Sequence, residues 1–300
     1  MKNLLVIYYS QSGQLEQIGQ AIAAPLVGVD GVSVYFHKIK PVHSFPFPWT
    51  KESFFDAFPE SFLQISQDVE PISTELLGIK FDLILFCYQV WYLSPSIPIT
   101  SFLKSKDANF LFNNVPVVTV SGSRNMWIMA QEKVKVLLKA NGAKLVGNIA
   151  LVDKAPNLVS VVTIVKWMMS GVKKRYLGIF PLPGVSRKDI TSSVRYGEMI
   201  LESLKQGTFD ELQNNLVKEG AVNISPYLVT VDKTANRIFS RWSNFIVTKK
   251  SSRIVWLKVF YTYLLLAIWI ASPIVYVLHL ILYPFRLKTI KQSVAYYQGV

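Results

Sequence analysis

The first half of the chain alternates short apolar runs with stretches in which apolar residues recur every three or four positions. The apolar or alternating runs predict five strands, at 4–9, 32–36, 81–88, 115–120 and 145–152. The helical spacing predicts helices at 15–26, 131–140 and 189–204. Because the strands carry almost no charge, they fit a sheet that is covered on both faces. The pattern therefore predicts an α/β fold with a doubly wound, five-stranded parallel sheet.

The loops that follow the first, third and fourth strands form the candidate site, because ligands of such sheets lie beyond the carboxyl ends of the strands. The loop residues are Ser10, Gln11, Ser12, Gly13, Gln14 and Leu15, then Gln89, Val90, Trp91 and Tyr92, and finally Ser121, Gly122 and Ser123. The first loop opens a helix and offers amides to an anion, and the second offers aromatic faces to a planar ring. Each loop alone also fits an ordinary turn, so the evidence for a site is their combination at one edge.

Few other chemistries fit the sequence. No Asp, Glu or His lies in the three loops, so no catalytic residue is assigned. Tyr88, Tyr92 and His43 are the nearest candidates for proton transfer. The single cysteine excludes a disulfide framework, and three scattered histidines give no metal-ligand spacing, so no metal site is predicted. A Walker A sequence and a G-x-S-x-G elbow are also missing.

The excess of basic residues lies in the second half of the chain. Of 32 Lys and Arg, 20 follow residue 150, and from Lys233 onward there are ten basic residues and no acidic one. Within this region the 27 residues of 259–285 are uncharged, which exceeds the ~20 residues that a helix needs to cross a bilayer. A long apolar run between basic clusters favours an anionic membrane, and not nucleic acid, as the partner. A buried helix of a soluble protein is the alternative.

The membrane arrangement has two forms that the sequence leaves open. The heavier basic cluster before the apolar run favours keeping the front half on the cytoplasmic face. A single C-terminal span fits the length, whereas basic flanks on both sides and Pro273 in the middle fit a peripheral hairpin that dips into one leaflet. We expect a first domain at 1–206, with an insertion at about 154–186, and a basic linker with a hydrophobic, membrane-associating helical region at 207–300.

The insertion carries its own apolar segment, 158–169, followed by Lys173, Lys174 and Arg175. Because it follows the fifth strand, it lies near the predicted pocket. We expect either an amphipathic lid that meets the membrane and admits apolar chains, or a homodimer contact or extra core layer. The sequence does not decide between these.

The loops resemble those of the flavodoxin-like flavoproteins over residues 1–206. In that family the first loop binds the FMN phosphate with the pattern Ser/Thr-x-Ser/Thr-Gly-x-Ser/Thr, and the next two loops flank the isoalloxazine ring. Ser10, Ser12 and Gly13 match the pattern, but Leu15 stands where a hydroxyl residue is expected. The resemblance implies FMN as the cofactor and the thirteen loop residues as its binding site, with one phosphate hydrogen bond missing.

A narrower resemblance is to the dialkylresorcinol-condensing enzymes of the DarA type. The segments KNLLVIYYSQSGQL and FCYQVWYLSPSIPITSFL carry it, together with the basic, hydrophobic C-terminus. It implies an aromatase of aryl-polyene, flexirubin or dialkylresorcinol biosynthesis, which dehydrogenates a lipid-like 2,5-dialkylcyclohexane-1,3-dione made by a partner ketosynthase. Removing two hydrogens needs a redox cofactor, because no side chain accepts a hydride.

Two other functions stay open. An NAD(P)H–quinone reductase would use the same fold and cofactor. A flavin-free scaffold that tethers a biosynthetic complex to the membrane would explain why Leu15 replaces a hydroxyl residue. Purified protein would be yellow in the first case and colourless in the second.

Overall fold

A computed structural model describes residues 1–300 and contains one sheet of six strands. The strands are β1 Lys2–Tyr8, β2 Val32–Lys38, β3 Leu83–Trp91, β4 Ser94–Pro95, β5 Pro116–Ser123 and β6 Lys144–Val152. Five of them run parallel in the order β2-β1-β3-β5-β6, and the two-residue β4 pairs antiparallel with the end of β3. This is the strand order of flavodoxin-like doubly wound folds, so the predicted fold class is confirmed.

Fifteen α-helices accompany the sheet. They are α1 Gln14–Ala23, α2 Lys51–Asp56, α3 Phe58–Phe62, α4 Thr74–Leu77, α5 Ile97–Leu103, α6 Lys106–Phe112, α7 Ile128–Ala140, α8 Asn157–Ser170, α9 Arg187–Ser192, α10 Val194–Gln206, α11 Leu212–Lys218, α12 Pro226–Val247, α13 Arg253–Leu266, α14 Ser272–Leu282 and α15 Leu287–Gln298. The helix expected at 189–204 is therefore divided into α9 and α10.

Both faces of β1, β3, β5 and β6 are buried, as their nearly uncharged sequences predict, whereas the edge strand β2 is partly exposed. In β1, Leu4 and Val6 belong to the core layer that includes α1 and α10, whereas Leu5 and Ile7 belong to the layer that includes α5, α6 and α7. The alternation follows from the two-residue period of a strand. Helices thus cover both faces and leave the strand ends at the carboxyl edge open to loops.

The segment after residue 206 packs on the edge strand β6. Leu212 and Leu216 of α11 are buried in the same core layer as α1. The Asn148 amide donates to Gln213 Oε1 at 2.7 Å, and the Ala150 amide donates to the Ala221 carbonyl at 2.8 Å. The first part of the region expected to be a linker is therefore packed chain, and the division at residue 206 remains a prediction.

Of the last four helices, α12 packs on α3 and α7, and α13 packs on α2. Phe239 of α12 and Phe260 of α13 pack with Phe58 of α3, and the Phe58 and Phe260 rings stack with centroids 3.9 Å apart. A π-helical turn at 267–271 joins α13 to α14, so that one continuous helix runs from Arg253 to Leu282.

This helix is long and apolar enough to cross a membrane, and none of its most apolar 18-residue window is buried in the protein. Length and composition alone support this statement, since no bilayer contributes to the structure. After a short turn, α15 leads back to the body of the protein, where Tyr297 is buried in the core.

Candidate functional site

The loop between β1 and α1 has the geometry of an anion site. Gly13 precedes α1 with a φ of +81°, a conformation that favours glycine. The backbone amides of Gln11 through Leu15 donate to no backbone carbonyl, as expected for the first turn of a helix. The Ser10 hydroxyl is buried and also lacks a partner. Free amides, an unpaired hydroxyl and the positive end of a helix together suit a phosphate.

The predicted insertion contacts this loop directly. The Gln14 side chain donates to the Val185 carbonyl and accepts from the Val185 amide, both at 3.0 Å. Lys173 Nζ lies 3.4 Å from the same carbonyl, so an ammonium group from the insertion stands beside the first turn of α1. Partial burial lowers the pKa of Lys173. The loop itself contains no basic residue, and the local sequence does not predict that Lys173 lies beside it.

The second loop is a strained hairpin turn with an aromatic surround. Tyr92 and Leu93, between β3 and β4, have φ values of +50° and +60°, a conformation that side chains other than glycine adopt at a cost. The Trp91 ring lies 5.2 Å from the Trp49 ring and 5.0 Å from the Phe45 ring, centroid to centroid. The turn therefore places Trp91 in a group of rings from the Pro-rich stretch after β2.

The third loop approaches the first one closely. A Cβ built on Gly122 would lie 3.0 Å from Leu15 Cδ1 and 3.2 Å from Ile18 Cδ1, so glycine is what lets these elements meet. Ser121 is buried at the end of β5. The buried Ser123 Oγ and Gln89 Oε1 have no hydrogen-bond partner. Polar groups of this kind, left unpaired at a cavity, are available to a ligand.

The three loops converge on one cavity of about 210 Å³. Of the predicted residues, those that line it are Gln11, Ser12, Gln14, Leu15, Gln89, Val90, Trp91, Tyr92, Gly122 and Ser123. Ser10, Gly13 and Ser121 lie beside it without lining it. The Trp49 indole nitrogen donates to Gln11 Oε1 at 3.0 Å, so a side chain from the Pro-rich stretch is tied to the first loop.

Nine of the nineteen residues that line the cavity lie outside the predicted set. Phe47, Trp49 and Phe54 come from the stretch after β2 and from α2, whereas Ile164, Trp167, Met168 and Gly184 come from the insertion. Buried Asp153 accepts hydrogen bonds from the Ser160 hydroxyl and the Gly184 amide, and thereby holds both arms of the insertion at the end of β6. In the sequence, only the aromatic residues of 45–49 and the apolar run of 158–169 indicate that these segments could line a cavity.

Arg124 is the one cation that lines the cavity. Its Nη1 donates to the carbonyl and to Oδ1 of Asn157, at 3.1 and 2.8 Å, and its Nη2 lies 3.7 Å from the Met126 sulfur. No acidic side chain forms a salt bridge with it. Burial lowers its pKa to about 10, and Asp153 opposes this effect from a distance.

No strong base lines the cavity. Tyr92 and Arg124 are its only titratable side chains, and burial raises the pKa of Tyr92 far above its ordinary value. Tyr88 is buried and donates to Gln131 Oε1 at 2.7 Å, and its pKa is also raised by burial. His43 is exposed and does not line the cavity.

A larger depression of about 520 Å³ lies at the surface between α10 and α11. Its lining is mainly polar and includes Glu202, Asp210, Glu211 and Glu219. It is remote from the carboxyl ends of the strands, so the smaller cavity at the sheet edge is the candidate site.

Solved structures similar to this chain are flavoproteins of the flavodoxin type. A flavoprotein in complex with FMN from Lactobacillus acidophilus is 17% identical with a TM-score of 0.40, over 50% of this chain and 93% of its own. A WrbA-like flavodoxin from Agrobacterium tumefaciens is 12% identical with a TM-score of 0.39, over 69% and 100%. Flavodoxin 1 from Bacillus cereus is 12% identical with a TM-score of 0.36, over 67% and 98%.

No protein-family profile matches the chain, and no curated protein does. The strand order β2-β1-β3-β5-β6 defines the fold.

Proposed function

We propose that the protein is an FMN-dependent oxidoreductase. The observation that carries this proposal is the convergence of free amides at residues 11–15 with an aromatic cavity at the carboxyl edge of the sheet. The amides and the Ser10 hydroxyl would hold the phosphate, and Lys173 adds a positive charge nearby. Trp91, Tyr92 and the Gly122 backbone would border the ring. When bound, FMN supplies the hydride acceptor that the side chains lack.

The proposed substrate class is a 2,5-dialkylcyclohexane-1,3-dione, which the enzyme aromatises to a dialkylresorcinol in lipid or pigment biosynthesis, after a partner ketosynthase has made it. The apolar part of the cavity, with Phe47, Phe54, Ile164 and Met168, suits alkyl chains. A 1,3-dione is already acidic between its carbonyls, so a cavity without a strong base is compatible with this reaction.

We further propose that the protein works on the cytoplasmic face of a membrane. The exposed apolar side chains of the 253–282 helix support this, as do the basic residues on both sides of it. The helix is held at one end because Arg253 binds Glu60 and Asp56, at 2.7–2.9 Å. Beyond the other end, α15 returns to the body, where Tyr296 donates to Glu132 at 2.9 Å. These contacts favour the peripheral hairpin over the single span.

The proposal is tested by purifying the full chain in mild detergent, recording its visible spectrum and identifying any released chromophore. We expect a yellow protein with FMN at one equivalent. The loaded protein should then oxidise a dialkylcyclohexanedione with oxygen or a quinone as final acceptor.

Other results of the same experiment would indicate one of the two alternative functions. FMN with nicotinamide-dependent quinone reduction and no dione oxidation would indicate the reductase. A colourless protein that does not take up FMN in excess would end the redox proposal and leave the membrane scaffold.

A further inference from the structure

We propose that Arg124 binds the ionised oxygen of an enolate, so that the enzyme takes its 1,3-dicarbonyl substrate as an anion. The inference rests on the proposed function and deepens it, because it names the charge state of the substrate and the residue that recognises it.

Arg124 has N–H donors that are free to bind a ligand. A guanidinium has five N–H donors. Two on Nη1 are used by Asn157 and one on Nη2 points to a sulfur, which leaves Nε–H and one Nη2–H without a partner. Because the cavity is lined by this side chain, the free donors are available there to a planar, oxygen-bearing anion.

The charge of the site points the same way. A largely buried cation without a carboxylate partner is costly, and its lowered pKa reflects that cost. An anionic ligand would offset the cost, whereas a neutral ketone would do so only weakly. The FMN phosphate has its own amides at the first loop, so Arg124, on the third loop, is left for a second anion.

The chemistry balances with an anionic substrate. With FMN as the hydride acceptor, the ring carbon C5 of the enolate would give up a hydride, and one proton would move from each of the two neighbouring methylene carbons to an oxygen. The product would be a neutral resorcinol, because the negative charge would leave with the hydride. Arg124 would hold the oxygen that carries the charge at the start, so no carboxylate is needed to ionise the ring.

The test uses 5,5-dimethylcyclohexane-1,3-dione, which ionises like the substrate but has no hydrogen on C5 and is not aromatised. Its methyl enol ether has nearly the same shape and no charge. We expect the flavin-loaded full chain, followed by calorimetry at pH 7, to bind the dione at least tenfold more tightly than the ether. Equal binding of the two compounds by the unaltered protein would overturn the inference without any variant.

Variants locate the effect. Arg124→Met should lose the preference for the anion, and Arg124→Lys should keep part of it, because it retains the charge but not the planar fork. Lys166→Met removes an exposed charge from the insertion, away from the third loop that carries Arg124, and should change nothing.

If Arg124→Met holds FMN but still prefers the dione, the inference fails while the proposed function stands. If the protein does not bind FMN at all, the proposed function is wrong. The preference for the dione over its ether is then measured on the FMN-free protein, so the role of Arg124 is tested separately.

Discussion

Leu15, which replaces the hydroxyl residue of the phosphate-loop pattern, is explained by its contacts. It is 3% exposed and packs where a Cβ on Gly122 would otherwise lie. A leucine opposite a glycine fills the space between the first and third loops, and a hydroxyl group at that place would be buried in the core. The sequence shows the departure from the pattern but not its reason, because the two residues are far apart along the chain.

Gly13 provides a direct test of the phosphate loop. A Cβ at this position meets nothing within 4 Å, so Gly13→Ala should act only through the backbone conformation. We expect a loss of about 1–2 kcal/mol in the free energy of unfolding, because φ is +81°. FMN retention after dialysis should fall as well, since the loop amides would be displaced.

Gly28→Ala is the matched control. Gly28 has a φ of +76°, is equally free of neighbours, and lies before β2 at the amino end of the sheet. It should cost a similar amount of stability and leave FMN binding unchanged. Equal FMN retention by the two variants would contradict the assignment of the loop.

Among the elements, α7 shows best why boundaries escape a sequence pattern. Apolar spacing predicts a start at residue 131, but the helix begins at Ile128 and has no local side-chain cap. Asp232 of α12 takes that role, since its Oδ2 accepts from the amides of Ile128 and Met129 at 3.0 and 3.3 Å. A cap supplied by a residue more than 100 positions away leaves no trace in the local sequence.

This cap makes stability depend on pH. Burial raises the pKa of Asp232 to about 7, although the amides and Lys133 oppose the shift. The folded protein therefore binds a proton more tightly than the unfolded chain, and stability falls as pH rises from about 4 to 7.

We accordingly expect Asp232→Asn, which keeps an acceptor for the amides, to be more stable than the unaltered protein at pH 8. The gain should be up to about 4 kcal/mol and should shrink toward pH 4, as measured by denaturant unfolding in detergent. Asp30→Asn, at an exposed residue, should show no such trend. A gain that does not change with pH would contradict the raised pKa.

The strands and the site differ in how much of them the sequence determines. Each of the five parallel strands is a short run with almost no charge, so local pattern locates it, and parallel order then brings the loop residues to one edge. The cavity wall from Trp49, Phe54 and Trp167 arises from segments whose position depends on tertiary contacts. One such contact is the bond from the Trp49 amide to the Met168 carbonyl at 2.9 Å.

The sequence likewise does not determine which residues of the expected lid line the cavity. Trp167 is buried at the cavity, whereas Leu177 and Ile179 of the insertion are 70% and 79% exposed. Periodicity identifies an apolar segment but not which of its residues face the ligand.

At the scale of the whole molecule, the path of the chain constrains how a bilayer could hold it. The helix 253–282 has 30 residues, about 45 Å at 1.5 Å per residue, which exceeds the ~30 Å of a hydrocarbon core. A single span would carry residues 296–300 to the far side and break three contacts there. These are Tyr296 with Glu132, Lys135 with Gly299, and Gln213 with Gln298. A hairpin whose tip lies near Phe285, which is 84% exposed, keeps them all.

Cysteine labelling separates the two arrangements, because the only natural cysteine, Cys87, is buried. Ser251→Cys lies in the exposed turn before the helix, and Val300→Cys marks the chain end. Each variant is added to preformed anionic vesicles, recovered by flotation and treated with a maleimide that does not cross membranes. For the hairpin we expect both cysteines to react fully without detergent, because both helix ends stay on the side of the body.

If only Ser251→Cys reacts until detergent is added, the chain crosses the bilayer and the contacts of Tyr296 and Gly299 do not persist there. If neither variant floats with anionic vesicles, the exposed apolar helix must be covered by protein and not by lipid.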